Sequence, residues 1–198
     1  MGNSASATVS PDEWDDLHLE SGLSKRSLKT LHNRFLELAQ QKDDNGIEFM
    51  CRADFESIPD LLKNPLGSRL IDVFFVNADV GDQKRVYFRN FVKVLSHFRP
   101  INKHSPHPWN SREAKLQFAF TMYDLNRSGT ITKDEFTEIL IFKRMIGGNV
   151  SRAKVDAIAE RTMLEADRNA DGSITFEEFC RAMEKTDIEE KMSFQFLI

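Results

Sequence analysis

Two stretches of twelve residues in the C-terminal half carry oxygen-bearing side chains at the same spacing. Each has Asp at its first position, Asn at its third, Gly at its sixth, Ile at its eighth, Thr at its ninth and Glu at its twelfth. The candidate ligands are Asp124, Asn126, Ser128, Thr130, Thr132 and Glu135, then Asp167, Asn169, Asp171, Ser173, Thr175 and Glu178. A hard divalent cation takes about six to eight oxygen ligands at about 2.3–2.6 Å, so these stretches indicate calcium chemistry.

The spacing of these ligands matches the loop of an EF-hand. Gly129 and Gly172 fall at the sharp turn, which needs a positive φ that glycine adopts at little cost. Glu135 and Glu178 are predicted to bind through both carboxylate oxygens. Carbonyl oxygens are expected at the seventh position and a bridging water at the ninth. The alternative is a pair of acidic surface loops, since Asp, Asn, Ser and Gly are ordinary turn residues.

Apolar residues at three- and four-residue steps predict a helix on each side of both loops. The predicted stripes are Leu116, Ala119, Phe120 and Tyr123 with Phe136, Ile139 and Leu140, and Ile158, Met163 and Ala166 with Phe179, Ala182 and Met183. We expect Ile131 and Ile174 to pair in a short strand that links the two loops. Most of these side chains are predicted core, whereas four flexible methionines are predicted to contribute to an adaptable binding groove: Met122, Met145, Met163 and Met183.

The two calcium loops are not predicted to bind equally well. The second offers three carboxylates, Asp167, Asp171 and Glu178, whereas the first has Ser128 at its fifth position. More ligand charge generally favours tighter binding, so we expect the second loop to fill first.

The N-terminal half resembles a second pair of helix-loop-helix units that has lost its metal. In the first unit, Gly46 and Asp54 stand eight residues apart where a working loop has six. The next unit spans 79–90 with Val86 at its eighth position, but Lys84 replaces the turn glycine and Asn90 the bidentate acid. Its third and fifth positions are Gly81 and Gln83. The sequence therefore predicts an all-α protein with two lobes of paired EF-hands, the alternative for this half being an unrelated helical domain.

Composition narrows the class of protein. The 198 residues are 40% hydrophobic and include 16 phenylalanines, enough for a sizeable core. A net charge of −4 does not favour nucleic acid as a partner. Cys51 and Cys180 are too few for a zinc site or a disulfide framework and fit a reducing cytosol. We expect no membrane span, because no apolar run approaches the length of about 18 residues that a spanning helix needs. We also expect no enzyme, because the sequence has no nucleophile with a base, no phosphate loop and no catalytic metal set.

The first residues, Met-Gly-Asn-Ser-Ala-Ser, match the pattern for N-myristoylation at Gly2. One myristoyl chain gives only marginal membrane binding without a second signal. The residues after Gly2 are acidic rather than basic, and the first Lys or Arg is Lys25, so no polybasic patch strengthens membrane binding. We therefore expect either a membrane partner that adds to the binding or a fold that shelters the lipid. We expect a cytoplasmic protein peripheral to the plasma membrane.

Predicted boundaries divide the chain into a lipidated segment, two lobes, a linker and a tail, at 1–24, 25–98, 99–111, 112–186 and 187–198. Prolines break the linker, and Asn110 or Ser111 is the predicted N-cap of the following helix. His104 and His107 of the linker form a metal or pH site or are simply solvated. The tail ends on an apolar stretch that includes Phe194, Phe196, Leu197 and Ile198, which either packs on its own lobe or plugs a groove until a partner helix displaces it.

Five short pieces of the sequence are the most specific to one family. They are Met1-Gly2 and the stretches 58–67, 97–101, 123–125 and 187–192. Over nearly its whole length the chain resembles the calcineurin B homologous proteins, which include tescalcin and lie near calcineurin B and the neuronal calcium sensors. Two inactive N-terminal hands and two active C-terminal ones also resemble that family.

The resemblance implies a subunit of plasma-membrane sodium/proton exchangers that clasps an amphipathic helix of the exchanger's cytoplasmic tail and supports pH-dependent transport. It also leaves nuclear shuttling open. Two alternatives stand beside it: a calcineurin B-type regulatory subunit that associates with a phosphatase catalytic subunit, and a soluble calcium buffer. Calcineurin B keeps four working loops, and a buffer needs neither a lipid nor an apolar groove.

Overall fold

A computed structural model describes residues 10–64, 66–76, 85–99, 107–147 and 151–187, with the backbone alone at 142–147. Several predictions fall outside this part of the chain: lipidation of Gly2, the groove role of Met145, the ligand positions within 79–84, the role of His104 and the fate of the tail residues within 188–198.

The described residues form ten α-helices and two short antiparallel sheets, which confirms the predicted all-α fold. The helices of the N-terminal half are α1 (Pro11–Ser21), α2 (Lys25–Leu38), α3 (Arg52–Glu56), α4 (Pro59–Lys63), α5 (Gly67–Val76) and α6 (Phe88–Ser96). Those of the C-terminal half are α7 (Arg112–Tyr123), α8 (Lys133–Gly147), α9 (Arg152–Ala166) and α10 (Phe176–Ala182). The strands are β1 (Gln41–Lys42), β2 (Glu48–Phe49), β3 (Thr130–Thr132) and β4 (Ser173–Thr175), and Pro108–Asn110 form a 3-10 turn.

The C-terminal loops pair through β3 and β4. Ile131 lies opposite Ile174 at the centre of this pair, and both side chains are buried in the core. Each strand leads directly into the next helix, so the loop and the start of that helix form one continuous unit.

The N-terminal loops keep the same pairing at a single position. Met50 and Val86 exchange two backbone hydrogen bonds, of 2.9 and 3.0 Å, as residues on paired EF-hand loops do. The two extra residues of the first loop are accommodated just before this bridge, where β1 and β2 form a hairpin with Gln41 opposite Phe49. Gly46 turns that hairpin with a φ of 80°. The insertion therefore preserves the helix frame while it changes the shape of the loop.

Aromatic side chains connect the two halves into one core. Phe35, Phe74 and Phe91 are almost fully buried, with ring centroids 5.5 Å apart for Phe35 and Phe91 and 5.6 Å for Phe74 and Phe91. Phe98 meets Phe118 of α7 edge to face at 5.0 Å. Such aromatic pairs add about 0.5–1.5 kcal/mol beyond the area that they bury.

The packing of α9 differs from the predicted stripe. Ile158 is 42% exposed, whereas Val155 and Ala159 lie in the core together with Met163. The four-residue step from Val155 through Ala159 to Met163 keeps one face of the helix inward, and the residue one place before Ala159 points away from it. Small Ala159 thus holds a core position that the predicted stripe did not include.

The ends of the linker are fixed to both halves. Ser111 is the N-cap of α7, and its Oγ accepts a hydrogen bond from the Ala114 amide at 3.0 Å. Of the two residues predicted as the cap, Asn110 and Ser111, the second is therefore confirmed. Arg99 donates to the Ser21 carbonyl at 2.9 Å. The Nε2 of His107 donates to the Leu19 carbonyl at 3.1 Å, so this histidine secures the end of α1. Among the described residues, no helix is both long and apolar enough to cross a bilayer.

Candidate metal centre

The first C-terminal loop is held by its own first-position acid. Asp124 follows the last turn of α7, and its two carboxylate oxygens accept hydrogen bonds from the amides of Ser128 and Gly129, both at 2.9 Å. The amide of Ser128 also lies 2.8 Å from Oδ1 of Asn126. The first, third and fifth positions of the loop are therefore in contact with one another.

Glu135 closes the same loop with both of its oxygens. Oε1 accepts from the amides of Leu125 and Asn126 at 3.0 and 3.1 Å, and Oε2 accepts from the amide and hydroxyl of Thr132, each at 2.8 Å. Burial opposes ionisation of this carboxyl, but the hydrogen bonds from Thr132, Asn126 and Leu125 hold its pKa below the ordinary value. The predicted bidentate ligand is thus an ionised, oriented carboxylate.

The second loop repeats this arrangement. Asp167 accepts from the amides of Asp171 and Gly172 at 3.3 and 2.8 Å. Glu178 accepts from the Arg168 amide at 2.9 Å and from the amide and hydroxyl of Thr175, both at 2.9 Å. These hydrogen bonds, with that of the Thr175 amide foremost, lower the pKa of Glu178.

The fifth-position side chains are turned toward their neighbours. Oδ1 of Asp171 accepts from the amide and hydroxyl of Ser173 at 2.8 Å, and its Oδ2 accepts from the Asn169 amide group at 2.8 Å. In the first loop the Ser128 hydroxyl donates to the Thr130 carbonyl at 3.0 Å. Within the described residues no three Asp, Glu, His or Cys side chains converge as a metal cluster. The candidate ligands are carboxylate, amide, hydroxyl and carbonyl oxygens, which are the kinds of ligand that calcium takes. To bind the ion, the side chains of Asn169 and Asp171 must exchange their hydrogen bond to each other for contacts with the metal.

The loop backbone has one feature that the residue types did not indicate. Gly129 and Gly172 have φ values of 87°, as their sixth positions require. Arg127 and Ala170, at the fourth positions, also have positive φ values of 60° and 57°. Neither residue favours this conformation, so the shape of the loop imposes it.

In the first loop of the N-terminal half, Asp43 and Asp54 hold a hairpin turn and a helix start rather than the two ends of one loop. Oδ1 of Asp43 accepts from the amides of Asn45 and Ile47, both at 2.9 Å, and the Tyr87 hydroxyl donates to Oδ2 at 3.1 Å. Asp54 accepts from the Cys51 amide at 2.7 Å at the start of α3. These contacts stabilise the hairpin turn and the helix start. The loss of the metal in this half stays a prediction.

The predicted groove methionines are largely internal in this conformation. Met122 and Met163 belong to the buried core, and Met183 is partly buried against it. A groove that used Met122 or Met163 would require the helices to separate first. The prediction rested on the flexibility of methionine side chains, whereas their burial depends on the side of the helix on which each of them lies.

Comparison with known proteins agrees with the loop geometry. Residues 113–184 match the model of an EF-hand domain pair. The chain is 33% identical to the calcineurin B subunit of Naegleria gruberi over 195 aligned residues. These residues make up 98% of this chain and 99% of that protein. It is 35% identical to the type 2 calcineurin B subunit of Dictyostelium discoideum over 180 aligned residues. This alignment covers 90% of this chain and 87% of that protein. The chain therefore belongs to the calcineurin B-like family of calcium-binding EF-hand proteins.

Proposed function

We propose that this protein is a calcium-loaded regulatory subunit that holds an amphipathic helix of a partner and catalyses nothing itself. The observation that carries the proposal is the contrast between the two halves. Each C-terminal loop is closed by its last glutamate, which accepts hydrogen bonds from the amides of the second and third positions. In the first N-terminal loop, Asp43 accepts from two amides of its own hairpin turn and Asp54 from an amide at the start of α3. A half that no longer binds metal but keeps its helix frame is suited to bind a helix. Two calcium ions bind in the C-terminal lobe, the second loop first.

The partner that we propose is the cytoplasmic tail of a plasma-membrane sodium/proton exchanger, whose pH-dependent transport the protein supports. The support is the likeness of 58–67 and 97–101 to the calcineurin B homologous proteins. Described residues of both stretches have specific structural roles. A Cβ on Gly67 would lie 1.8 Å from the Leu61 carbonyl oxygen, so only glycine lets α5 begin there. The carbonyls of His97 and Arg99 accept hydrogen bonds from Lys115.

A second candidate partner is a phosphatase catalytic subunit. The names of the two relatives, both of them calcineurin B proteins, favour it directly. The altered N-terminal loops favour the exchanger, because calcineurin B itself would be expected to keep four working loops. The two candidates share the same chemistry of recognition and differ in the protein that carries the helix.

Membrane attachment completes the proposal. A myristoyl group on Gly2 would add a weak membrane contact, and binding to a membrane-embedded partner would make that contact effective by raising its local concentration. The protein would then be cytoplasmic and peripheral to the plasma membrane.

Isolation of the tagged full-length protein from membranes tests these proposals together. We expect an exchanger to be recovered in calcium, to be lost in a calcium chelator and to be recovered less well with Gly2→Ala. Recovery of a phosphatase catalytic subunit instead would favour the second candidate. Recovery of neither protein in calcium would contradict both and favour a calcium buffer, whose hands barely open on binding the ion.

A further inference from the structure

Arg69 of α5 reaches from the N-terminal half to the helix that leaves the first calcium loop. Its guanidinium donates to Oε1 of Glu138 on α8 at 2.9 Å. Glu138 follows the bidentate ligand Glu135 by three residues. The same guanidinium lies 3.8 Å from Asp72, which also pairs with Arg52 of α3. This set of ion pairs connects α3, α5 and α8.

The Arg69 side chain is largely buried, although it carries a charge. It is 21% exposed, compared with 50% for Glu138, and its Nε is buried without a hydrogen-bond partner. A buried donor left without a partner is unfavourable, so the contacts with Glu138 and Asp72 must offset that cost. The guanidinium is therefore not a freely mobile surface group.

The space beside this ion pair borders the first calcium loop. A cavity of about 100 Å³ lies between the halves, lined on one side by Arg69, Asp72 and Phe75 and on the other by Asp124 and Leu125. Asp124 is the first-position ligand. The N-terminal half therefore meets the first loop at both of its ends, through the cavity wall near Asp124 and through the ion pair near Glu135.

We propose that Arg69 is a positioning residue for the first calcium site. By fixing Glu138 it fixes the first turns of α8, and with them the carboxylate of Glu135 that must bind calcium with both oxygens. The ion-pair partners of Arg69 lie on α5 and α8, so the effect belongs to the first loop and leaves the second unchanged. This inference rests on the proposal that the first loop binds calcium, and it gives the N-terminal half, which has lost its own ligands, a part in calcium binding.

Two parent variants of the full-length chain separate the loops for a calorimetric test. Glu178→Gln leaves the first loop able to bind calcium, and Glu135→Gln leaves the second. In the Glu178→Gln parent, Arg69→Met should weaken calcium binding about threefold to fivefold, since partly exposed ion pairs contribute up to about 1 kcal/mol and 1.4 kcal/mol is tenfold. In the Glu135→Gln parent it should leave calcium affinity unchanged.

Three comparisons distinguish positioning from general damage. Arg69→Lys should retain most of the affinity, and Glu138→Gln should add little to Arg69→Met, because both remove the same interaction. Arg161→Met, which removes an arginine 82% exposed on α9, should have no effect in either parent. An equal loss at both loops, no loss at the first, or the same loss with Arg161→Met would overturn the proposal. A Glu178→Gln parent that binds no calcium would overturn the first calcium site as well.

Discussion

Ala170 has a φ of 57° at the fourth position of the second loop, in the left-handed region that costs an L-residue about 1–2 kcal/mol. Ala170→Gly should relieve that strain. Glycine also raises the conformational entropy of the unfolded chain, which offsets part of the stabilisation. We expect a net stabilisation of about 0.5–1 kcal/mol. The measurement is the free energy of unfolding by denaturant.

A matched substitution on a helix provides the control for this prediction. Ala157 lies exposed inside α9, where glycine should destabilise by about 1 kcal/mol. Opposite signs for Ala170→Gly and Ala157→Gly are the expected result. A destabilising Ala170→Gly would mean that the loop backbone relaxes away from the positive φ.

His97 lies at the joint between the halves, beside the Phe118 ring at 5.1 Å, and its Nδ1 donates to the Lys93 carbonyl at 2.9 Å. That hydrogen bond raises the pKa of His97, but burial is the larger effect and lowers the pKa below the ordinary value of 6.5, with the charges of Lys115 and Lys93 acting in the same direction. The neutral form is therefore favoured in the folded state. Below pH 6.5 the unfolded chain takes up the proton more readily, so stability should fall as the pH falls.

The unfolding free energy measured from about pH 7 to about pH 5 checks this. His97→Gln should make the profile flatter, and His32→Gln should add to the effect because burial lowers the pKa of His32 as well. The carboxyls of Glu135 and Glu178, whose pKa values are lowered, contribute stability that is lost only at more acidic pH. An unchanged slope in the His97→Gln variant would contradict the assignment.

Among the helices and loops, local chemistry predicted the loops well. The sixth-position glycines and the Ser111 cap depend on residues close in sequence. The pairing of Ile131 with Ile174 follows from the matching eighth positions of the two loops. The outward position of Ile158 depends on how helices pack, which no local pattern encodes. The hairpin that accommodates the insertion is turned by local residues, Asp43 and Gly46, which the sequence reasoning used only to judge metal binding.

Lys115 is the feature of the helices that sequence reasoning missed. It is fully buried on α7, and its ammonium donates to the carbonyls of His97 and Arg99 at 2.5 and 2.7 Å, just beyond the end of α6. Nothing in the sequence distinguishes it from a surface lysine. It joins the last turn of one half to the first helix of the other.

Replacement of this lysine should therefore loosen the joint. Lys115→Met keeps the apolar stem but leaves two carbonyls without their donor, and we expect a loss of about 2–4 kcal/mol from two unsatisfied groups. Thermal unfolding measures it. Lys29→Met, at an exposed position on α2, should change stability by no more than about 0.5 kcal/mol. A loss for Lys115→Met as small as that of the control would contradict a structural role for the buried ammonium.

In the molecule as a whole, the start of α7 is where the parts of the chain meet. Arg112 donates to the Met183 carbonyl at 2.8 Å and so holds the residues that follow α10. Arg99 and His107 hold the end of α1 from the same region. The end of α1, the two ends of the linker and the residue after α10 are thus held by the side chains of Arg99, His107 and Arg112.

Calcium-dependent binding of a partner helix can be measured by calorimetric titration of the full-length protein with a peptide of an exchanger's cytoplasmic amphipathic helix. In calcium we expect one-to-one binding with a negative heat-capacity change, because apolar surface is buried. The affinity should fall in a calcium chelator and in a Glu135→Gln, Glu178→Gln double variant. A peptide that does not bind in calcium, or that binds the double variant as tightly as the parent, would contradict the proposed role.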